Sequence, residues 1–266
     1  MPARFVHLRA GQVSFFSASC ITTKNNFSQF VFQTLPNMFS LDRQKYLNSF
    51  TIAAICFILV TCSFAQTSPP KEANKLEAQL IELRKLDKSI KLDIRYATAN
   101  NFVGRAVYPE ARAFLQRPAA EAVVRVQKLL KKEGLGLVIY DGYRPWAITK
   151  LFWEVVRVDQ RQFVADPAKG SKHNRGCAVD LSIIDLKTGK PIPMPSDYDE
   201  FNERASPDYK GGTDEERANR DKLRRLMEAE GFTVNSSEWW HYDYNGWQQY
   251  AIYDISFAEA GKKVKR

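Results

Sequence analysis

The sequence is poor in cysteine and histidine. Of its 4 cysteines, three lie within the first 65 residues, so Cys177 alone remains in the rest of the chain. A lone cysteine forms no internal disulfide, which excludes a disulfide-stapled scaffold. Of the 3 histidines, only His173 and His241 follow residue 65. The folded part must therefore be held together by its apolar core or by a metal ion.

Long apolar runs are also scarce. The run FTIAAICFILVTCSFA, at 50–65, follows two basic residues and ends in small ones. It is shorter than the about 20 residues that a membrane-spanning helix needs, and its layout is typical of a secretory signal peptide. We predict a leader over 1–65, with the signal peptide within 38–65 and Met38 as the true start. The alternative is an uncleaved anchor.

We accordingly expect an exported, periplasmic protein that has no stable membrane insertion after cleavage. The net charge of the whole chain is +9, from 39 Lys and Arg against 30 Asp and Glu, but it falls to +5 without the leader. This moderate charge predicts no nucleic-acid partner. We predict a linker and N-terminal helix over 66–90, one main domain over 91–256 and a basic, solvated tail over 257–266.

Hydrophobic periodicity predicts a mixed fold. Helical spacing or helix-start signals occur at 71–87, 118–133, after Pro145 and from the capping box at Thr213. The spacing places Leu76 on the apolar face of the first helix and directs Val155 inward from the helix after Pro145. Strand-like runs occur at 90–94, 137–140, 177–184, FTVN and EWWHYDY. Helices and strands do not alternate strictly, so we expect an α+β fold with a central, mainly antiparallel sheet flanked by helices.

Polar residues interrupt the apolar strands close to both histidines. Asp180 lies in AVDLSII, and Glu238 and His241 lie in SSEWWHYDY. A carboxylate that faces a core is destabilising unless it is paired or bound to a metal. Catalytic zinc typically takes three protein ligands and leaves a fourth position for water. His173, Asp180 and His241 supply such a set, and Gly176 permits the turn between the first two.

Two further residues indicate hydrolysis. Glu238 can accept a proton from the attacking water and pass it to the leaving amine. Positions i and i+3 of a regular strand face opposite sides, so Glu238 and His241 share a site only through a bulge, a twist or a helical turn. Arg144, in YDGYRP, can stabilise an oxyanion. The alternative is structural: Arg144 pairs with Asp141, and each polar residue is a satisfied core group.

These segments resemble a known family. SKHNRGCAVD at 171–180, followed by EWWH at 238–241, is similar to the zinc D-alanyl-D-alanine dipeptidases, a VanX-like group with the hedgehog/DD-peptidase fold. RYATANNFVG, YDGYRP, PMPSDYDEFNERAS and SEWWHY also resemble family segments and follow the family order. The resemblance therefore covers most of the chain after the leader.

The resemblance implies a role for each candidate residue. It implies that His173, Asp180 and His241 are zinc ligands and that Glu238 is the catalytic base. Arg144 is implied to stabilise the transition state. Asp199 is implied to bind the substrate ammonium, and Ser171 to line the site. The implied function is zinc-dependent hydrolysis of D-Ala-D-Ala or a similar D,D-dipeptide in cell-wall peptide turnover. The alternatives are a zinc DD-carboxypeptidase or endopeptidase acting on peptidoglycan stem peptides, and an inactive wall-binding module.

Overall fold

The computed structural model describes residues 67–262, so the predicted leader and the last four residues of the predicted tail lie outside the described residues. The strands are β1 (Leu80–Glu82), β2 (Lys91–Leu92), β3 (Phe114–Gln116), β4 (Leu135–Asp141), β5 (Ala178–Asp185), β6 (Phe232–Asn235) and β7 (Glu238–Tyr244). The α-helices are α1 (Leu83–Leu86), α2 (Arg117–Lys131), α3 (Trp146–Val155), α4 (Asp214–Ala229) and α5 (Phe257–Lys262). Across 67–262, no helix combines the length and apolarity needed to cross a membrane.

The central sheet has five strands in the order β2-β4-β5-β7-β6. Three of its pairings are antiparallel, and only β2 runs parallel to β4. A second, two-stranded sheet pairs β1 with β3 in antiparallel register. The prediction of an α+β fold with a mainly antiparallel central sheet is confirmed.

Helices α2 and α4 both pack on the central sheet, α2 against β4 and α4 against β5, β6 and β7. The capping box at the start of α4 forms as predicted. Thr213 Oγ1 accepts a hydrogen bond from the Glu216 N–H at 3.1 Å, and Glu216 Oε2 accepts one from the Thr213 N–H at 2.7 Å. Because both orphan donors are satisfied, the entry of α4 onto the sheet is fixed.

The prediction of a helix over 71–87 is wrong. Residues 71–79 are irregular, and the chain then enters β1 and makes a single helical turn in α1. Leu76, expected on the buried face, is 50% exposed, and its backbone N–H donates to the Gln249 carbonyl. The ladder that β1 forms with β3 satisfies backbone groups that a helix would have paired locally, so tertiary pairing overrides the periodicity.

Two other predictions need correction. Val155, expected to point inward from α3, is 46% exposed at the end of that helix. The predicted tail over 257–266 begins with α5, in which Phe257 and Ala260 are buried. The Phe257 ring lies 4.9 Å from the Tyr108 ring, and this contact holds the segment against the domain.

Candidate metal centre

The pairing of β5 with β7 places two of the predicted ligands side by side. Asp180 on β5 is the direct partner of His241 on β7, and opposite residues of an antiparallel pair share a face. His173 begins a short 3₁₀ turn that ends at Gly176, whose φ of 69° lies in the left-handed region. This turn folds back before β5 begins and brings His173 beside Asp180, as the sequence predicted.

Three ligand atoms form a nearly equilateral triangle. Asp180 Oδ1 lies 3.3 Å from His173 Nε2 and 3.1 Å from His241 Nδ1, and the two nitrogens are 3.1 Å apart. Tetrahedral ligands at zinc–ligand distances of about 2.0 to 2.1 Å stand about 3.3 Å from one another. The triangle therefore has the dimensions of three corners of a zinc tetrahedron.

Hydrogen bonds on the outer side fix both imidazoles. His173 Nδ1 lies 2.7 Å from the Gly142 carbonyl oxygen, and His241 Nε2 lies 2.9 Å from Asp243 Oδ1. Each of these nitrogens must carry the hydrogen, because its partner can only accept. When both rings are neutral, their inner nitrogens direct lone pairs at the centre of the triangle, which is the usual arrangement of histidine ligands.

The inner carboxylate oxygen needs a positive partner. Asp180 Oδ1 is fully buried, and with both imidazoles neutral it has no hydrogen-bond partner within the described part of the chain. Burial lowers the pKa of His241, but its hydrogen bonds with Asp180 and Asp243 outweigh this effect and raise the pKa to about 10. Either a proton on His241 or a metal ion at the centre compensates the three converging lone pairs. The residues present fit zinc.

Glu238 reaches the same site through an irregular pairing. Val234 of β6 pairs with Tyr242, whereas the next residue, Asn235, pairs with Glu238, so β7 bulges between the two pairs. The bulge brings Glu238 Oε2 to 3.8 Å from His241 Nδ1, which meets the requirement set by the i, i+3 spacing. Burial, followed by the negative charge of Asp180, raises the pKa of Glu238.

Arg144 is buried and held by Asp141. Its Nε and Nη2 donate to Asp141 Oδ2 at 3.0 and 2.8 Å, while Asp141 Oδ1 accepts from the Tyr108 hydroxyl. Arg144 Nη2 also lies 4.0 Å from Asp180 Oδ2. The structural pairing with Asp141 and the location at the site therefore coexist, and the carboxylate fixes the guanidinium beside the predicted ligands.

Asp199 and Ser171 line the same cavity, of about 450 Å³, as the residues above. Asp199 has a φ of 60° and accepts a hydrogen bond from the Tyr96 hydroxyl at 3.0 Å. Burial, followed by the charge of Asp180, raises the pKa of Asp199 well above its ordinary value. Ser171 Oγ accepts from the His173 N–H at 3.2 Å, so this serine both caps the turn and borders the cavity.

Comparison with known proteins identifies the family. The family described as D-Ala-D-Ala dipeptidase matches residues 76–260. The chain belongs to this family. A relative from Escherichia coli K12 named D-alanyl-D-alanine dipeptidase is 33% identical to this chain, and the alignment covers 62% of this chain and 84% of the relative. A relative of the same name from Enterococcus faecium is also 33% identical, and the alignment covers 58% of this chain and 85% of the relative. A solved LD-carboxypeptidase, LdcB, has a TM-score of 0.37 and 19% identity, covering 73% of this chain and 82% of its own.

Sequence reasoning missed several residues of this dipeptidase-family site. Asp243 orients His241 and accepts a hydrogen bond from Lys172 Nζ at 2.8 Å. Its position two residues after His241 on a strand placed it on the same face, and this signal could have revealed it. The Tyr198 hydroxyl donates to Asp180 Oδ2 at 3.0 Å. No local pattern pointed to Tyr198, because its contact spans 18 residues of sequence.

Cys177 lies between His173 and Asp180 in the sequence but is absent from the group of potential ligands found among the described residues. Its thiol is buried and donates weakly to the Arg175 carbonyl. Burial raises the pKa of this thiol to about 12, which disfavours the thiolate that a metal requires. Cys177 therefore belongs to the packing of the domain.

Metal uptake by this dipeptidase-family protein should depend steeply on pH. The pKa of His241 is about 10 without metal, so its inner nitrogen is protonated at neutral pH and the metal must displace that proton. The apparent zinc affinity should rise about tenfold per pH unit between about 6.5 and 8.5. Calorimetric titration of the metal-free protein in buffers of different ionisation enthalpy measures both the affinity and the released proton. A pH-independent affinity would contradict the assignment.

Proposed function

We propose that the protein is a zinc dipeptidase that hydrolyses D-Ala-D-Ala or a similar D,D-dipeptide. The main support for this proposal is the triangle of His173, Asp180 and His241, which lies with Glu238 at one cavity. The names of the relatives support the choice of substrate. An inactive wall-binding module would not need a partly buried glutamate next to a complete ligand set.

The ligand set would hold zinc, which polarises a carbonyl oxygen and lowers the pKa of a bound water. Glu238 takes up the proton of the attacking water on its carboxylate and passes it to the nitrogen of the leaving amine. Burial raises the pKa of Glu238, which makes its carboxylate a stronger base toward that proton. Glu238 thus serves as base and then as acid.

Arg144 can contribute to the same reaction, because its guanidinium lies beside Asp180 Oδ2. Asp141 occupies its Nε and Nη2, while Nη1 has no hydrogen-bond partner within the described part of the chain. This nitrogen is available to a negative oxygen that develops on the substrate. Because the guanidinium is already oriented and desolvated, it stabilises the oxyanion without reorganisation.

Asp199 provides the recognition of a free amino terminus. Burial and the nearby negative charge of Asp180 raise the pKa of Asp199 and favour its protonated form. A substrate ammonium would compensate the ionised form, whereas an acylated amine would leave the carboxylate without an ion partner. We infer that the site favours free dipeptides over blocked peptides.

The substrate assignment is tested with the zinc-loaded protein. D-Ala-D-Ala should be hydrolysed, whereas N-acetyl-D-Ala-D-Ala should be hydrolysed at least about 100-fold more slowly, since the carboxylate of Asp199 is left without an ion partner. L-Ala-L-Ala serves as the stereochemical control, and free alanine is the measured product. Turnover of only the acylated peptide would reject the dipeptidase and support a carboxypeptidase acting on stem peptides.

We also propose that the protein is exported and acts in the periplasm on dipeptides released from the cell wall. The support is the apolar run at 50–65 behind basic residues, a layout typical of cleavable signals. Expression of the full chain in a Gram-negative host should give a periplasmic product that begins near Gln66. Retention of the protein in the cytoplasmic fraction with its leader intact would contradict this proposal.

A further inference from the structure

Two buried tyrosine hydroxyls lie side by side, one at the predicted metal ligand Asp180 and the other at Asp199. The Tyr198 hydroxyl donates to Asp180 Oδ2 at 3.0 Å and lies 3.3 Å from the Tyr96 hydroxyl, which in turn donates to Asp199 Oδ2 at 3.0 Å. We call Tyr198 and Tyr96 the tyrosine bridge. Each hydroxyl of the bridge donates to a carboxylate that has a separate predicted role. Asp180 is predicted to bind the metal, and Asp199 is predicted to bind the substrate amine.

The bridge makes the two oxygens of Asp180 unequal. Oδ1 faces both imidazoles within 3.3 Å and has no hydrogen-bond partner in the described chain, whereas Oδ2 accepts from Tyr198. A carboxylate can bind a metal through one oxygen or through both, and rotation about its bond to Cβ exchanges them. A hydrogen bond to Oδ2 disfavours that rotation and keeps Oδ1 as the ligand atom.

Packing fixes Tyr198 before any ligand binds. Its ring stacks on Tyr140 with centroids 4.6 Å apart and an angle of 29°, and it meets Trp240 edge to face at 5.5 Å. The side chain is buried, so water does not compete for the hydroxyl. The hydroxyl is therefore directed at Asp180 by the core, which is what precise placement of a ligand requires.

We propose that Tyr198 is a positioning residue of the metal centre, which holds Asp180 as a one-oxygen ligand. The proposal rests on the metal site of the proposed function and not on its substrate. A purely structural tyrosine would contribute to folding stability and leave the properties of the bound metal unchanged. The two roles thus differ in a measurable way.

The test compares Tyr198→Phe with the matched control Tyr140→Phe, which removes a buried hydroxyl from the stacked neighbour. Zinc affinity is measured by competition with a chelator, and the geometry is read from the visible absorption of the cobalt-substituted protein. Tyr198→Phe should bind zinc about 10- to 100-fold more weakly and change the cobalt spectrum. Tyr140→Phe should leave both properties as in the unmodified protein.

A third variant, Tyr96→Phe, separates the two ends of the bridge. It should keep the zinc affinity and the cobalt spectrum but raise KM for D-Ala-D-Ala, because only the Asp199 end loses its hydrogen bond. Tyr198→Phe should instead change the metal measurements, because the hydrogen bond that it removes ends on Asp180. The metal measurements need no turnover, so they decide the role of Tyr198 at Asp180 even if D-Ala-D-Ala proves not to be the substrate.

The proposal is overturned if Tyr198→Phe binds zinc as tightly as the unmodified protein and gives the same cobalt spectrum, with only its melting temperature changed. Equal weakening by Tyr140→Phe would also overturn it, because the effect would then come from the core. Cobalt in excess favours the folded form by mass action, so the spectrum remains readable if the metal-free variant is unstable.

Discussion

Glu238→Gln lowers kcat for D-Ala-D-Ala by about 100- to 10,000-fold, the range expected when a general acid–base group is removed. The amide has nearly the shape of the carboxylate but cannot accept the proton of the attacking water. Glu238 is not one of the three predicted ligands, so the variant should still bind one zinc per chain. Steady-state kinetics together with metal analysis of the same sample measure both effects.

Glu121→Gln is the matched control for this prediction, since Glu121 is exposed on α2. It should retain full activity. If Glu238→Gln loses its zinc together with its activity, the glutamate acts as a ligand. If it retains most of its activity, another group must accept the proton, and the proposed role of Glu238 is wrong.

Arg144→Lys lowers kcat by about 100- to 1,000-fold, as expected when a donor to a developing oxyanion is lost. A lysine keeps the charge but cannot donate to Asp141 and to the substrate in the planar, forked geometry of a guanidinium. KM should change much less than kcat, because the oxyanion exists only in the transition state and its intermediates. The decisive result is therefore a large fall in kcat with little change in KM.

The matched control for Arg144 is Arg112→Lys. Arg112 also forms a two-bond pair with a carboxylate, Glu82, through Nε at 3.1 Å and Nη2 at 2.7 Å. Arg112 does not line the cavity, so its replacement should reduce stability slightly and leave kcat unchanged. Equal losses of kcat in the two variants would show that Arg144 acts only through folding.

The candidate ligands could be predicted because they break local rules. Asp180 interrupts an apolar strand, and the histidines are too few for their positions beside out-of-place acids to be incidental. Such conflicts between local pattern and residue type mark functional positions. The strand pairing of Asp180 with His241 then follows from β5 and β7 lying next to each other.

The supporting residues could not be predicted in the same way. Tyr198 lies in an irregular segment without periodicity, and its hydroxyl finds Asp180 only after the chain has folded. The Gly142 carbonyl likewise fixes His173, a partner 31 residues away that local sequence does not indicate. Distances across the fold determine these roles, and a single sequence contains no direct record of them.

The error at 71–87 has a comparable origin. The leucine spacing there satisfies a helical pattern, yet Leu80 pairs with Gln116 across β1 and β3. Glu72 also pairs with Arg175 through two hydrogen bonds, at 2.9 and 3.0 Å. These long-range contacts together stabilise the irregular path more than the weak intrinsic preference for a helix would.

X-ray absorption at the zinc edge, combined with metal analysis, tests the central claim most directly. We predict one zinc per chain, with two imidazole nitrogens and one carboxylate oxygen at about 2.0 to 2.1 Å and a fourth light ligand. His241→Ala should lose one imidazole from the spectrum and bind zinc more weakly. A chain that takes up no zinc, or a zinc bound through sulfur or without imidazoles, would contradict the account.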